Sequence, residues 1–161
     1  HHTFCTDNSA WLDDYALFMA LDTAFAATGK LWQDWPTPLA TRQTAALRGA
    51  EIEHADEVRF WKFAQWCFFR QWQALKAYAN SRHIEIVGDL PIFVAGHSAD
   101  VWSNPKLFDL DAQGRQNTVA GVPPDYFSVT GQRWGNPLYR WSAHAAEDYR
   151  WWIERDRKSV V

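Results

Sequence analysis

The chain has 161 residues, 47% of them hydrophobic, and sets 16 Lys and Arg against 19 Asp and Glu for a net charge of −3. That is enough for one domain with a core, and it offers no basic stripe of the kind that carries nucleic-acid affinity or attachment to an anionic membrane. Cys5 and Cys67 make neither a disulfide framework nor a zinc site, no secretory signal opens the sequence, and no apolar run is long enough to span a bilayer, so a reducing cytoplasm is the expected setting.

Taken in chain order, Trp11, Tyr15, Phe18, Ala20, Leu21 and Phe25 recur at helical spacing. They predict a helix from Asp7 or Asn8 to Ala27, with Asn8 or Ser9 as its cap and Gly29 as its stop. A loop with two prolines and two tryptophans, Trp32 to Pro38, leads to a short helix over Thr41 to Arg48 that ends at Gly49. The longest element is predicted over Ala55 to Arg82, where Val58, Trp61, Ala64, Phe68, Trp72, Leu75 and Ala79 form a heavy apolar face. Cys67 lies within it and reads as a small buried hydrophobe.

The character then changes. Ile84, Ile86 and Val87 predict a short strand that ends near Gly88–Asp89, because Pro91 cannot donate to a ladder. A long helix followed at once by a β-branched strand suits an α/β repeat. Asp89 would then stand at the C-terminal end of a strand, where barrels of parallel strands build their sites. Residues 96–137 are loop-rich, with Ser98 capping a turn over Ala99 to Ser103 and prolines and glycines punctuating the rest. A last helix is predicted over Leu138 to Arg155, with a new strand expected to begin within Arg157 to Val161.

Eleven tryptophans are several-fold more than ordinary usage supplies. Most are expected in the core, and about a quarter on a surface where flat rings meet an apolar ligand face. Asp89 suits a carboxylate pointing into a sugar site, and equally one that caps a turn. Glycosidic bond cleavage needs two carboxyl groups across the scissile bond. Asp89 and the loop residue Asp125 are both candidates, but neither has a partner on a second strand end, so the pair is incomplete. In the string 121–128, Pro123 and Pro124 stiffen a loop that displays Asp125, Tyr126 and Phe127. That suits a lid over a site, and also aromatics tucked onto a core. In 131–137, Gln132, Trp134 and Asn136 combine a ring with amides that suit sugar hydroxyls. The same stretch reads as a turn before a helix, with Asn136 as cap and Pro137 at the first helical position. His54, His83, His97 and His144 are scattered without metal-ligand spacing, so no metal site is read, and no phosphate loop, dinucleotide fingerprint or nucleophile elbow occurs.

Three strings go further: Ile86-Val87-Gly88-Asp89-Leu90-Pro91-Ile92-Phe93-Val94, Ser98-Ala99-Asp100-Val101-Trp102-Ser103-Asn104-Pro105, and the run from Gly121 to Tyr139. In this order and spacing, with Asn8-Ser9-Ala10-Trp11-Leu12-Asp13-Asp14-Tyr15-Ala16-Leu17-Phe18 ahead of them, they closely resemble the amylomaltases, 4-alpha-glucanotransferases of the alpha-amylase-like clan. The resemblance covers nearly the whole chain. It implies an α/β fold, part of a (β/α)8 barrel with helical and loop insertions, over all of residues 1–161, and a retaining transfer of alpha-1,4-glucan segments to the 4-hydroxyl of an acceptor sugar without cofactor or metal. It implies substrate contacts for Asp89 beside the donor glucose, for Asp125, Tyr126 and Phe127 on a mobile loop over the acceptor side, and for Gln132, Trp134 and Asn136 along the groove.

Family members are several-fold longer, and the Arg-x-Asp-His pattern that bears the family's nucleophile does not occur in these 161 residues. On that ground the chain alone is expected to lack nucleophile and acid/base, to be inactive in transfer, and to fold poorly, with exposed edges and an unfilled interior. The alternatives are a non-catalytic glycan-binding module, which fits the aromatics and the missing carboxylates, and a helical domain with a Trp-rich core.

Overall fold

The computed structural model describes residues 1–158, with 159–161 outside it. Helix α1 (His2–Asp7) runs into α2 (Ser9–Phe25) with only Asn8 between them. Asn8 does not cap α2: its amide nitrogen donates to Phe4 O (2.9 Å) and its amide oxygen accepts the Trp11 indole N–H (3.0 Å), so the side chain staples the joint. A 3₁₀ turn over Ala26–Thr28 then closes on Gly29, whose φ of 63° ends the helical run. Another 3₁₀ turn, Trp32–Asp34, precedes α3 (Thr37–Ala40) and α4 (Thr44–Glu53). Gly49 lies inside α4 and does not end it.

Helix α5 (Ala55–Ser81) matches its predicted span closely. Its apolar face is only partly covered: Ala79 is buried and Cys67 half-buried, whereas Phe60, Phe63, Phe68, Leu75 and Tyr78 are exposed. The predicted strand after it is not formed. Residues 84–91 form no regular element and no ladder, with Val87 90% exposed, because no neighbouring strand among the described residues pairs with them.

Helix α6 (Ala99–Ser103) begins where Ser98 Oγ accepts the Val101 N–H, and a 3₁₀ turn follows over Pro105–Leu107. The described residues contain one sheet, an antiparallel pair of β1 (Val119–Val122) and β2 (Gln132–Pro137). The turn expected before a helix is therefore a strand, with Asn136 and Pro137 inside it rather than capping. Val119 faces Pro137 and Gly121 faces Arg133, so β2 carries extra residues between these pairs. Gly135, with φ 81°, takes up that bulge.

The last predicted helix is two, α7 (Trp141–Ala146) and α8 (Arg150–Lys158). Asp148 and Tyr149, both non-glycine residues at positive φ (51° and 53°), break the run. Helix α8 continues through Lys158, where a strand was expected; the rest of that expectation falls outside the described residues.

The core forms around α2. Leu17, Phe18 and Leu21 meet Trp32, Trp35, Val101, Trp102, Leu107, Phe108, Leu110 and Tyr139 in one cluster. Trp102 is fully buried, donates its indole N–H to Leu39 O (3.1 Å) and lies under the Arg42 guanidinium, which also pairs with Asp14 at 2.6 Å. This cluster seats the base of the hairpin and the segment after Asp89.

Candidate functional site

The hairpin and residues 91–97 lie against each other. Asn136 on β2 donates from Nδ2 to Val94 O (2.8 Å), and the Tyr139 hydroxyl donates to Ile92 O (2.6 Å). Burial pushes the Tyr139 phenol up to about 12, with the nearby Arg155 guanidinium working the other way, so the hydroxyl keeps its proton and stays a donor. Arg155 on α8 donates to Pro91 O (2.6 Å). These ties set Phe93 between two rings: its ring centroid is 6.0 Å from that of Trp134, near edge-on, and it lies parallel to Tyr139 at 6.2 Å. Trp134 is 48% exposed, and its indole N–H donates to Gln132 Oε1 at 3.1 Å. The result is an aromatic wall with an amide on its rim.

The loop between the strands holds itself. Asp125 Oδ1 accepts the N–H groups of Phe127 and Ser128, both at 2.9 Å, the Asp125 N–H donates to Ser128 O (2.9 Å), and Ser128 Oγ donates to Gly131 O (2.7 Å). One carboxylate oxygen of Asp125 thus closes a turn of its own loop. The closed turn presents Tyr126 and Phe127 edge to face with centroids 5.5 Å apart, 95% and 85% exposed. Rings this exposed contribute nothing to the core, so the reading in which they tuck onto it does not hold.

The structure therefore brings Gln132, Trp134 and Asn136 together with Phe93, and places Asp125, Tyr126 and Phe127 at the tip of the same hairpin. Asp89 is exposed in the irregular segment two residues before Pro91, and among the described residues nothing pairs with it. The sequence reading missed Phe93, Tyr139 and Arg155 as site-forming residues. Each acts through a partner tens of positions away, and the one local signal was the aromatic in Pro91-Ile92-Phe93. Among the described residues no group of three or more His, Cys, Asp or Glu is placed to hold a metal ion, and no helix is long and apolar enough to cross a membrane.

This arrangement can hold a flat, hydroxyl-rich ligand: ring faces for its C–H surface, amide and carboxylate groups for its hydroxyls. The family model described as 4-alpha-glucanotransferase matches residues 1–160. A 4-alpha-glucanotransferase of Thermus thermophilus is 57% identical over 150 residues, covering 93% of this chain and 30% of the relative. One from Synechocystis is 52% identical over 158 residues, covering 98% and 31%. Among solved structures, an amylomaltase from Streptococcus agalactiae in complex with acarbose superposes with a TM-score of 0.91 at 38% identity, covering 99% of this chain and 32% of that one. The chain spans about a third of the length of the relatives it matches.

Proposed function

Because the chain belongs to the 4-alpha-glucanotransferase family, we propose that the whole protein moves alpha-1,4-glucan segments from a donor maltodextrin to the 4-hydroxyl of an acceptor sugar. The match across residues 1–160 carries this reading. The transfer is a retaining double displacement. A carboxylate displaces the leaving sugar while a carboxylic acid protonates its oxygen, and the acceptor hydroxyl then displaces the carboxylate as its proton returns to the acid/base. Neither group is assigned to a residue of this chain. In this reading the chain contributes part of a (β/α)8 barrel and the 96–137 segment of the sugar groove.

Within that groove the proposed contacts are Asp89 beside the donor glucose, Asp125, Tyr126 and Phe127 over the acceptor, and Gln132, Trp134 and Asn136 along the wall. Two exposed rings at the loop tip and a third beside Phe93 support a role for the loop in transfer over hydrolysis, since aromatic walls exclude water while a bound sugar presents its hydroxyl. Of Asn136, the amide nitrogen is committed to Val94 O, which leaves its oxygen for a sugar. Alpha-1,4-glucans are the proposed partners. The free state of Cys5 and Cys67 suits the reducing cytoplasm proposed as its setting.

The test is product analysis of the whole protein with maltotriose alone. Longer and shorter maltodextrins with little free reducing-end gain support transfer. Glucose release without longer products, or no turnover with intact binding, refutes it, the last outcome pointing to a glycan-binding module.

A further inference from the structure

Residues 91–97 have no backbone ladder, yet most of their carbonyls are held by side-chain donors: Pro91 O accepts from Arg155, Ile92 O from the Tyr139 hydroxyl, Val94 O from Asn136 Nδ2, Ala95 O from Ser98 Oγ and Gly96 O from the Trp32 indole Nε1 (2.8 Å). Gly96 is also pressed close: a Cβ there would lie 2.0 Å from Gln116 Nε2.

The last anchor is His97. Its Nδ1 accepts the Trp32 backbone N–H (3.1 Å), and its Nε2 lies 2.6 Å from Asp22 Oδ1 on α2. A nitrogen that accepts an N–H carries no proton, so the bond to Asp22 is donated from Nε2. Phe18 and Trp35 flank the imidazole at 5.3 and 6.3 Å between ring centroids. One imidazole thus bridges α2 to the residue whose indole grips Gly96.

We propose that His97 is a positioning residue. By joining Asp22 to the Trp32 amide it fixes the indole that holds Gly96, and with it the register of residues 91–97 that sets Phe93 against Trp134. This rests on the reading of that wall as a glucan groove, and it adds a residue that contacts no sugar itself. The side chain of glutamine carries an acceptor and a donor at about the separation of the two ring nitrogens. His97→Gln therefore keeps both bonds, and His97→Ala loses both.

The test uses the whole protein, labelled with ¹⁵N, and maltoheptaose as probe. Long-range imidazole spectra should report the Nε2–H tautomer. His97→Ala should speed exchange of the Trp32 amide and indole protons, displace the Trp134 indole resonance and raise the Kd for maltoheptaose about tenfold, while His97→Gln stays within about twofold of the parent. Where His97→Ala does not fold, Asp22→Ala, which removes the acceptor and leaves the imidazole, is read in the same way. An Nδ1–H tautomer, unchanged exchange at Trp32, or His97→Gln as impaired as His97→Ala overturns the proposal. If the whole protein itself fails to bind maltoheptaose, the glucan reading falls, and the tautomer with the Trp32 and Trp134 signals still decides the positioning role.

Discussion

Asp125 shows how a single side chain can organise a loop. Its Oδ1 caps the loop backbone, and the Tyr126 and Phe127 rings are displayed by the turn this makes. Asp125→Ala should raise hydrogen exchange of the Phe127 and Ser128 amides and cost the folded state no more than about 1 kcal/mol, since the loop stands clear of the core; undiminished protection of those amides would show that the turn is held elsewhere. In the sequence Asp125 reads as a sugar contact, and its bonds to the Phe127 and Ser128 amides are found only in the structure. For Asn136 the sequence offers a sugar contact and a helix cap side by side; its bond to Val94 spans 42 residues, and the antiparallel pairing with β1 places it inside a strand, which rules out the cap. The span of α5 was readable from local spacing, and the partners that the fold brings from far along the chain were not.

Among the elements, the joint between α7 and α8 departs most from expectation. The sequence predicts one helix over Leu138 to Arg155, but the positive φ of Asp148 and Tyr149 turns the chain so that Trp151 and Trp152 fold back around His144. His144 is 1% exposed, and its Nε2 donates to Leu107 O at 3.1 Å. Its Nδ1 is buried with no partner. Burial holds its pKa below the ordinary 6.5, against the opposing pull of the Leu107 carbonyl and Glu147. The sign follows from linkage: the unfolded state takes up the proton first, so stability is full above about pH 6.5 and declines as pH falls toward the lower folded value. Thermal melts should show this decline, and His144→Met, similar in bulk and without a proton to take up, should flatten it. A parent and a variant with the same acid slope would exclude His144 as its source. The strand expected at 84–88 failed for the complementary reason: β-branched residues set only a local preference for extended backbone, and a ladder needs a second strand beside it.

At the scale of the molecule, one aromatic cluster around α2 carries the fold while other apolar surface stays open. Trp102, fully buried and bonded to Leu39, sits where α2, α3 and α6 meet. Trp102→Ala should cost about 3–5 kcal/mol, a large share of the roughly 5–15 kcal/mol that holds an ordinary domain folded, and near-parental melting would contradict the placement of the core. Phe60, Phe63, Phe68, Leu75 and Tyr78 along α5, with Val87 and Ile92 beyond it, expose far more apolar surface than scattered surface residues do. The chain should therefore bind a hydrophobic dye while folded and associate at high concentration. The central claim is that Trp134 and the hairpin tip form the wall of a glucan groove, and titration of the ¹⁵N-tryptophan-labelled chain with maltoheptaose tests it most directly. The account predicts that the Trp134 indole signal, whose proton is bonded to Gln132, shifts in a saturable way while that of buried Trp102 does not. A folded chain whose Trp134 signal stays in place at saturating sugar would contradict it.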